Sequence, residues 1–143
     1  MKDEFKFEDK GYKATLDDKK TKIFIDNWPV EIALSNLTLA SRLIGPDYVR
    51  EIAKLDKKSA IMAVMNAKDH KDVAEFIAHC CTCVVYDGVR ITADIMNTKF
   101  EGKLHEVIEL FTHVLHSQYH DFFDYGLAEA SSPETSTATK PQA

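Results

Sequence analysis

Residues 28–45, running from Trp28-Pro29-Val30 to Leu43-Ile44-Gly45, constrain the fold more than any other stretch of the chain. Pro29 suits the first turn of a helix, where its fixed φ fits and its missing N–H would go unpaired anyway. Gly45 suits the residue just past the end, and Pro46 blocks continuation. The spacing therefore predicts one helix with two apolar stripes. Val30, Ala33, Leu34, Leu37, Ala40 and Ile44 form the first, and Ile32, Leu39 and Leu43 form a second, nearly opposite. A surface helix needs only one such face. The helix is thus expected to lie between layers of its own fold, the usual fate of an apolar stripe. The alternative is that one face meets another chain.

Upstream the period changes to two. Phe5 and Phe7, then Tyr12, Ala14 and Leu16, then Ile23 and Ile25 alternate with polar residues. This predicts two or three antiparallel strands, a hairpin or small meander with turns at Asp9-Lys10-Gly11 and Asp17-Asp18-Lys19-Lys20. Such a piece is too small to be stable alone and must dock on the helices or on a partner.

Downstream the chain reads as helix. Pro46-Asp47 starts a short helix, and Asp56 caps another from Lys57 to about Ala67. Asp69 caps a longer one, His70 to about Tyr86, with Val73, Phe76, Ile77, Cys80 and Val84 as its core stripe. Val89-Arg90-Ile91 reads as an extended link, and Asp94 opens a brief turn. The longest helix is expected from about Gly102 to Asp124, with Gly126 ending it. The fold class is mainly α with a small N-terminal antiparallel β element (α+β), the helices forming a bundle of about five. Residues 1–127 are expected to form one globular domain, with 1–27 as its β element and 28–127 its helical part. From Ala128 onward the chain is Ala, Ser, Thr, Pro and Glu, so residues 128–143 are expected to be disordered.

Length and charge exclude some functions. A chain of 143 residues can bury a real core. A net charge of -5 and a pI near 5.6 argue against nucleic acid as the main partner. No apolar run approaches the roughly 20 residues needed to span a bilayer, and Met1-Lys2-Asp3-Glu4-Phe5-Lys6 lacks the apolar core of a secretory signal. Cys80, Cys81 and Cys83 lie too close together to staple distant parts of a fold, which fits a reducing cytosol. Their C-x-x-C spacing falls inside the expected helix without a second pair of ligands, so they read as small buried hydrophobes. No P-loop, G-x-G-x-x-G or G-x-S-x-G is present, so no enzyme class and no cofactor is indicated.

One polar constellation stands out. His105, Glu109, His113, His116 and His120 share a face of the last helix. Imidazoles one turn apart can bind a metal together. No ligand from a second element is identifiable, so a solvated polar face is the reading taken.

The order of parts carries a resemblance. A β piece leads into Trp28-Pro29-Val30-Glu31-Ile32, and a later helix ends in Tyr86-Asp87-Gly88-Val89-Arg90-Ile91. Phe100-Glu101-Gly102-Lys103-Leu104-His105-Glu106-Val107-Ile108-Glu109-Leu110 then opens the final helix. Over about residues 5–127 the chain resembles the tail assembly chaperones of long-tailed bacteriophages, small acidic proteins encoded just before the tape measure protein. The resemblance implies a non-catalytic protein of the host cytoplasm. It would bind the tape measure protein and help tail tube protein polymerise around it. It also implies that a longer frameshifted form can exist, for which residues 128–143 would serve as a tether. An apolar helix face is what such a client requires. Ile32, Leu39 and Leu43, with the adaptable Met62 and Met65, are the expected partner-binding residues, and self-association could use the same faces. Two alternatives stay open: a structural tail or baseplate protein, and a metal-binding regulator or enzyme using the histidine face.

Overall fold

The computed structural model describes residues 6–8 and 11–127. Three strands come first: β1 (Lys6–Glu8), β2 (Gly11–Thr15) and β3 (Lys22–Asp26). Four helices follow: α1 (Val30–Ile44), α2 (Pro46–Ile52), α3 (Lys57–Asn66) and α4 (His70–Cys80). A 3-10 turn at Cys81–Cys83 leads into β4 (Val84–Tyr86) and β5 (Val89–Arg90). Helices α5 (Ala93–Thr98) and α6 (Leu104–Asp121) complete the set, and α6 passes into a π-helical turn at Phe122–Leu127. The architecture is mainly α with a small antiparallel sheet, as the periodicity predicts. The expected start of the first strand at Phe5 and the tail 128–143 lie outside the described residues.

The sheet departs from expectation. Among the described residues it has five strands in sequential order, β1-β2-β3-β4-β5, all antiparallel. The expected helix from His70 to Tyr86 ends at Cys80, and Val84–Tyr86 leaves it to pair with β3. Two β-branched residues and a tyrosine favour a pleated surface, and β3 offers them an open edge. Ile25 faces Val84, Phe24 faces Val85 and Ile23 faces Tyr86. Asp87 and Gly88, both at positive φ, then close a two-residue hairpin of the Asp-Gly type. Val89-Arg90 is thus a strand rather than a link. The division into a β element 1–27 and a helical part 28–127 is corrected accordingly, because the second stretch supplies two strands. It also supplies six α-helices, in line with the bundle of about five expected.

One face of the sheet is buried. Tyr12, Ala14, Ile23, Ile25 and Val84 point at the helices and join the core with Leu16, Ile52, Leu110, Phe111, Val114 and Leu115. Helix α6 runs through the centre of this core, which is why residues all round it are buried from Ile108 to Leu115.

The helix ends follow local rules in most places. Gly45 stops α1 at φ 95 and donates its N–H to Ser41. Asp56 caps α3 by accepting from the N–H groups of Lys58 and Ser59. Thr92, rather than Asp94, caps α5 through Ile95 N–H at 3.2 Å. Leu55 lies past the end of α2, at φ 68. Asp56→Ala leaves two amide donors of the first turn without their acceptor. Urea unfolding should register a loss of about 1 kcal/mol.

Candidate functional site

The first stripe of α1 is only half buried, against expectation. Ala40 and Ile44 lie in the core, and Ala33 and Leu37 are partly covered. Val30 is 75% exposed and Leu34 57% exposed. The reason is the placement of α6, whose C-terminal end stands off from the N-terminal half of α1. The gap is a trough of about 580 Å³. Trp28, Val30, Leu34 and Leu37 line one wall, and Ser117, Tyr119 and Phe122 contribute to the other. Phe122 is 54% exposed.

The walls are held by polar contacts below the apolar rim. Trp28 N–H donates to Gln118 Oε1 at 3.0 Å, and Gln118 Nε2 donates to the Asp26 carbonyl at 2.8 Å. Tyr119 donates its hydroxyl to the Ala33 carbonyl at 2.6 Å, and burial pushes its ionisation well above the usual tyrosine range. Trp28 and Tyr119 meet edge to face, with ring centroids 6.0 Å apart. Ser117 Oγ, buried in the lining of the trough, has no hydrogen-bond partner among the described residues. Such a group costs free energy until something meets it.

The second stripe divides. Leu39 and Leu43 are partly buried and line a shallower recess of about 340 Å³ against Phe76 and His79 of α4, with Asp72 and Glu75 beside them. Ile32 is exposed, as are Met62 and Met65 on α3. The recess lined by Leu39 and Leu43 is lined by neither methionine nor by Ile32. Sequence reasoning missed Val30, Leu34 and Phe122, because an apolar stripe is core by default. Nothing in the sequence marks them out, because their exposure depends on where α6 lies.

The histidine face is not the solvated face expected. Glu109 is 3% exposed and His113 is 6% exposed, because β2 and the α2–α3 connection cover them. Tyr12 hydroxyl and His113 Nδ1 lie 3.2 Å apart. His116 Nδ1–H donates to the Ala53 carbonyl at 2.8 Å, tying α6 to the end of α2. His120 Nδ1–H donates to the His116 carbonyl at 3.2 Å. Of these five α6 residues only His105 is exposed.

Burial also sets the charges of this face. It raises Glu109 to about 7 and lowers His113 to about 4, and it lowers His116 as well. Asp17, in the β2–β3 loop, is held below its usual range chiefly by its hydrogen bond with Lys57. Asp17 N–H donates to Glu109 Oε2. Asp17, His105 and Glu109 place ligand atoms all within 4.8 Å of one another. Asp17, which the sequence reads as a turn residue, thus brings a carboxylate from a second element beside the two α6 residues.

The cysteines behave as the sequence suggests. All three are free and buried, and burial raises their ionisation, that of Cys83 to about 12. They are protonated and unreactive at neutral pH. Among the described residues no helix is long and apolar enough to cross a membrane.

The fold is thus a small α+β protein with an open apolar trough between α1 and α6. The chain belongs to the phage tail assembly chaperones: a family model described as phage tail assembly chaperone protein, TAC, matches residues 19–130. That span takes in β3, every helix and the trough. No curated protein and no solved structure matches the chain.

Proposed function

We propose that the protein escorts the tape measure protein in the host cytoplasm without catalysing a reaction. It receives an apolar helical segment of that client in the α1–α6 trough and releases it as tail tube protein assembles. The observation that carries this reading is the alignment of Val30, Leu34 and Phe122, large apolar side chains left exposed along one preformed trough. An amphipathic helix presents its own apolar stripe at matching spacing. Ile32, Leu39, Leu43, Met62 and Met65 are proposed as further contacts of a long client: Ile32, Met62 and Met65 are exposed, and Leu39 and Leu43 line a separate shallow recess. Family membership supports the role, since chaperoning of tail assembly requires protein partners.

Co-expression tests it. The tape measure protein from the same phage should partition to the soluble fraction with this protein and to the pellet without it. The two should co-elute on gel filtration, and the elution volume of the protein alone reports self-association. A client equally soluble without its escort overturns the reading.

A further inference from the structure

We propose that Asp17, His105 and Glu109 form a binding site for one divalent transition-metal cation of the Zn²⁺ type. The three come from two elements that the fold locks together. His105 and Glu109 lie one turn apart on α6 and so share a side of the helix. Asp17 arrives from the β2–β3 loop, and its backbone N–H on Glu109 Oε2 fixes the loop against the helix.

The geometry is close to what an ion needs. Nitrogen and oxygen ligands sit about 2.0–2.2 Å from Zn²⁺, so tetrahedral partners stand roughly 3.3–3.6 Å apart. The ligand atoms lie within 4.8 Å of one another, so binding an ion asks for a further approach of about 1 Å. Glu109 is buried and serves as the fixed anchor, whereas Asp17 and His105 are exposed and leave an entry path. A cavity of about 110 Å³ adjoins the cluster, lined by Asp17, Leu55, Lys57, Glu109, Thr112 and His113. It has room for water on the ion's open position, since one water occupies about 30 Å³.

The donor set selects the metal. One imidazole and two carboxylates suit Zn²⁺ or a neighbouring first-row ion. Ca²⁺ wants six to eight oxygens, which this cluster does not supply. The Lys57 ammonium now neutralises Asp17. It marks the site as one that already attracts a cation, and it competes with the metal. His113, His116 and His120 are not part of the set, since Nδ1 of each is committed to Tyr12, Ala53 and His116 respectively.

The competition supplies a test with two opposite signs. Untagged full-length protein is dialysed against Zn²⁺ alone, and bound metal is counted. One Zn²⁺ per chain is expected at micromolar free metal. His105→Ala, an exposed change whose fold is checked by circular dichroism, should weaken binding at least about 10-fold. Lys57→Gln should instead tighten it about fivefold, the worth of one partly exposed ion pair. Co²⁺ in place of Zn²⁺ should show visible absorption without a thiolate charge-transfer band. Failure of the wild-type protein to bind, undiminished binding by His105→Ala, or a thiolate band from Cys80, Cys81 or Cys83 would each overturn the site.

Discussion

A double variant, Val30→Asp with Leu34→Gln, is expected to lose client binding about 100-fold while folding normally. Both side chains are more than half exposed, so their removal takes little from the core. Val30 is the first residue of α1, where an added carboxylate is favoured by the helix dipole. The thermal midpoint should therefore move by no more than about 3 °C. Docking is another matter. Covering one aliphatic side chain is worth about 1.5–3 kcal/mol, and each 1.4 kcal/mol is tenfold in affinity. Losing two such contacts, and burying a carboxylate against the client, accounts for the factor expected. Pull-down of the tape measure protein by wild-type and variant chains at matched concentration is the measurement. Equal recovery would show that the trough is not the docking surface. Met65→Gln, on α3 and outside the trough, should cost much less.

Glu109→Gln should steepen the pH dependence of stability, measured by urea unfolding in chelator-containing buffer. The signs for the two buried groups are opposite. His113 titrates near 4 in the folded protein and near 6.5 when unfolded. The unfolded chain takes up more protons in that window, so stability falls as pH drops from 6.5 to 4. Glu109 titrates near 7 folded and near 4.5 unfolded. Here the folded chain holds the extra proton, so its contribution is full below 4.5 and is lost as pH rises through 7. Between 4.5 and 6.5 the two cancel in large part. Removing Glu109 leaves the histidine effect unopposed, and stability should climb by on the order of 2 kcal/mol between pH 4 and pH 6.5. His113→Gln should give the reverse, a decline as pH rises from 4.5 to 7. Parallel profiles for both variants would mean that these groups titrate normally.

Much of the helical half is legible in the sequence. The proline and glycine bracketing α1 and the caps Asp56 and Asp69 are local rules that the structure obeys. Local rules fail where a distant partner decides. Val84-Val85-Tyr86 continues a helical stripe on paper, yet β3 recruits it, and the Asp87-Gly88 turn was the legible clue. The trough is illegible for a related reason. Periodicity says that Val30 and Leu34 are apolar on one side of a helix, but only the approach angle of α6 says that nothing covers them. Glu109 and His113 fail in the other direction. Charged residues spaced along a helix look solvated until the sheet is known to lie across them.

The pairing of β3 with β4 also bears on how the chain is made. Ile23 and Ile25 leave the ribosome early and can pair with β2, but β4, their partner on the other side, does not exist until Val84–Tyr86 have been translated. Helices α1 to α4 emerge in between and can collapse on their own short-range contacts first. Until the sheet closes, β3 presents naked backbone donors and acceptors, the kind of edge that recruits stray strands. A ribosome stalled within α4 would hold out a sticky half-product, so this escort passes through an interval in which it needs escorting itself.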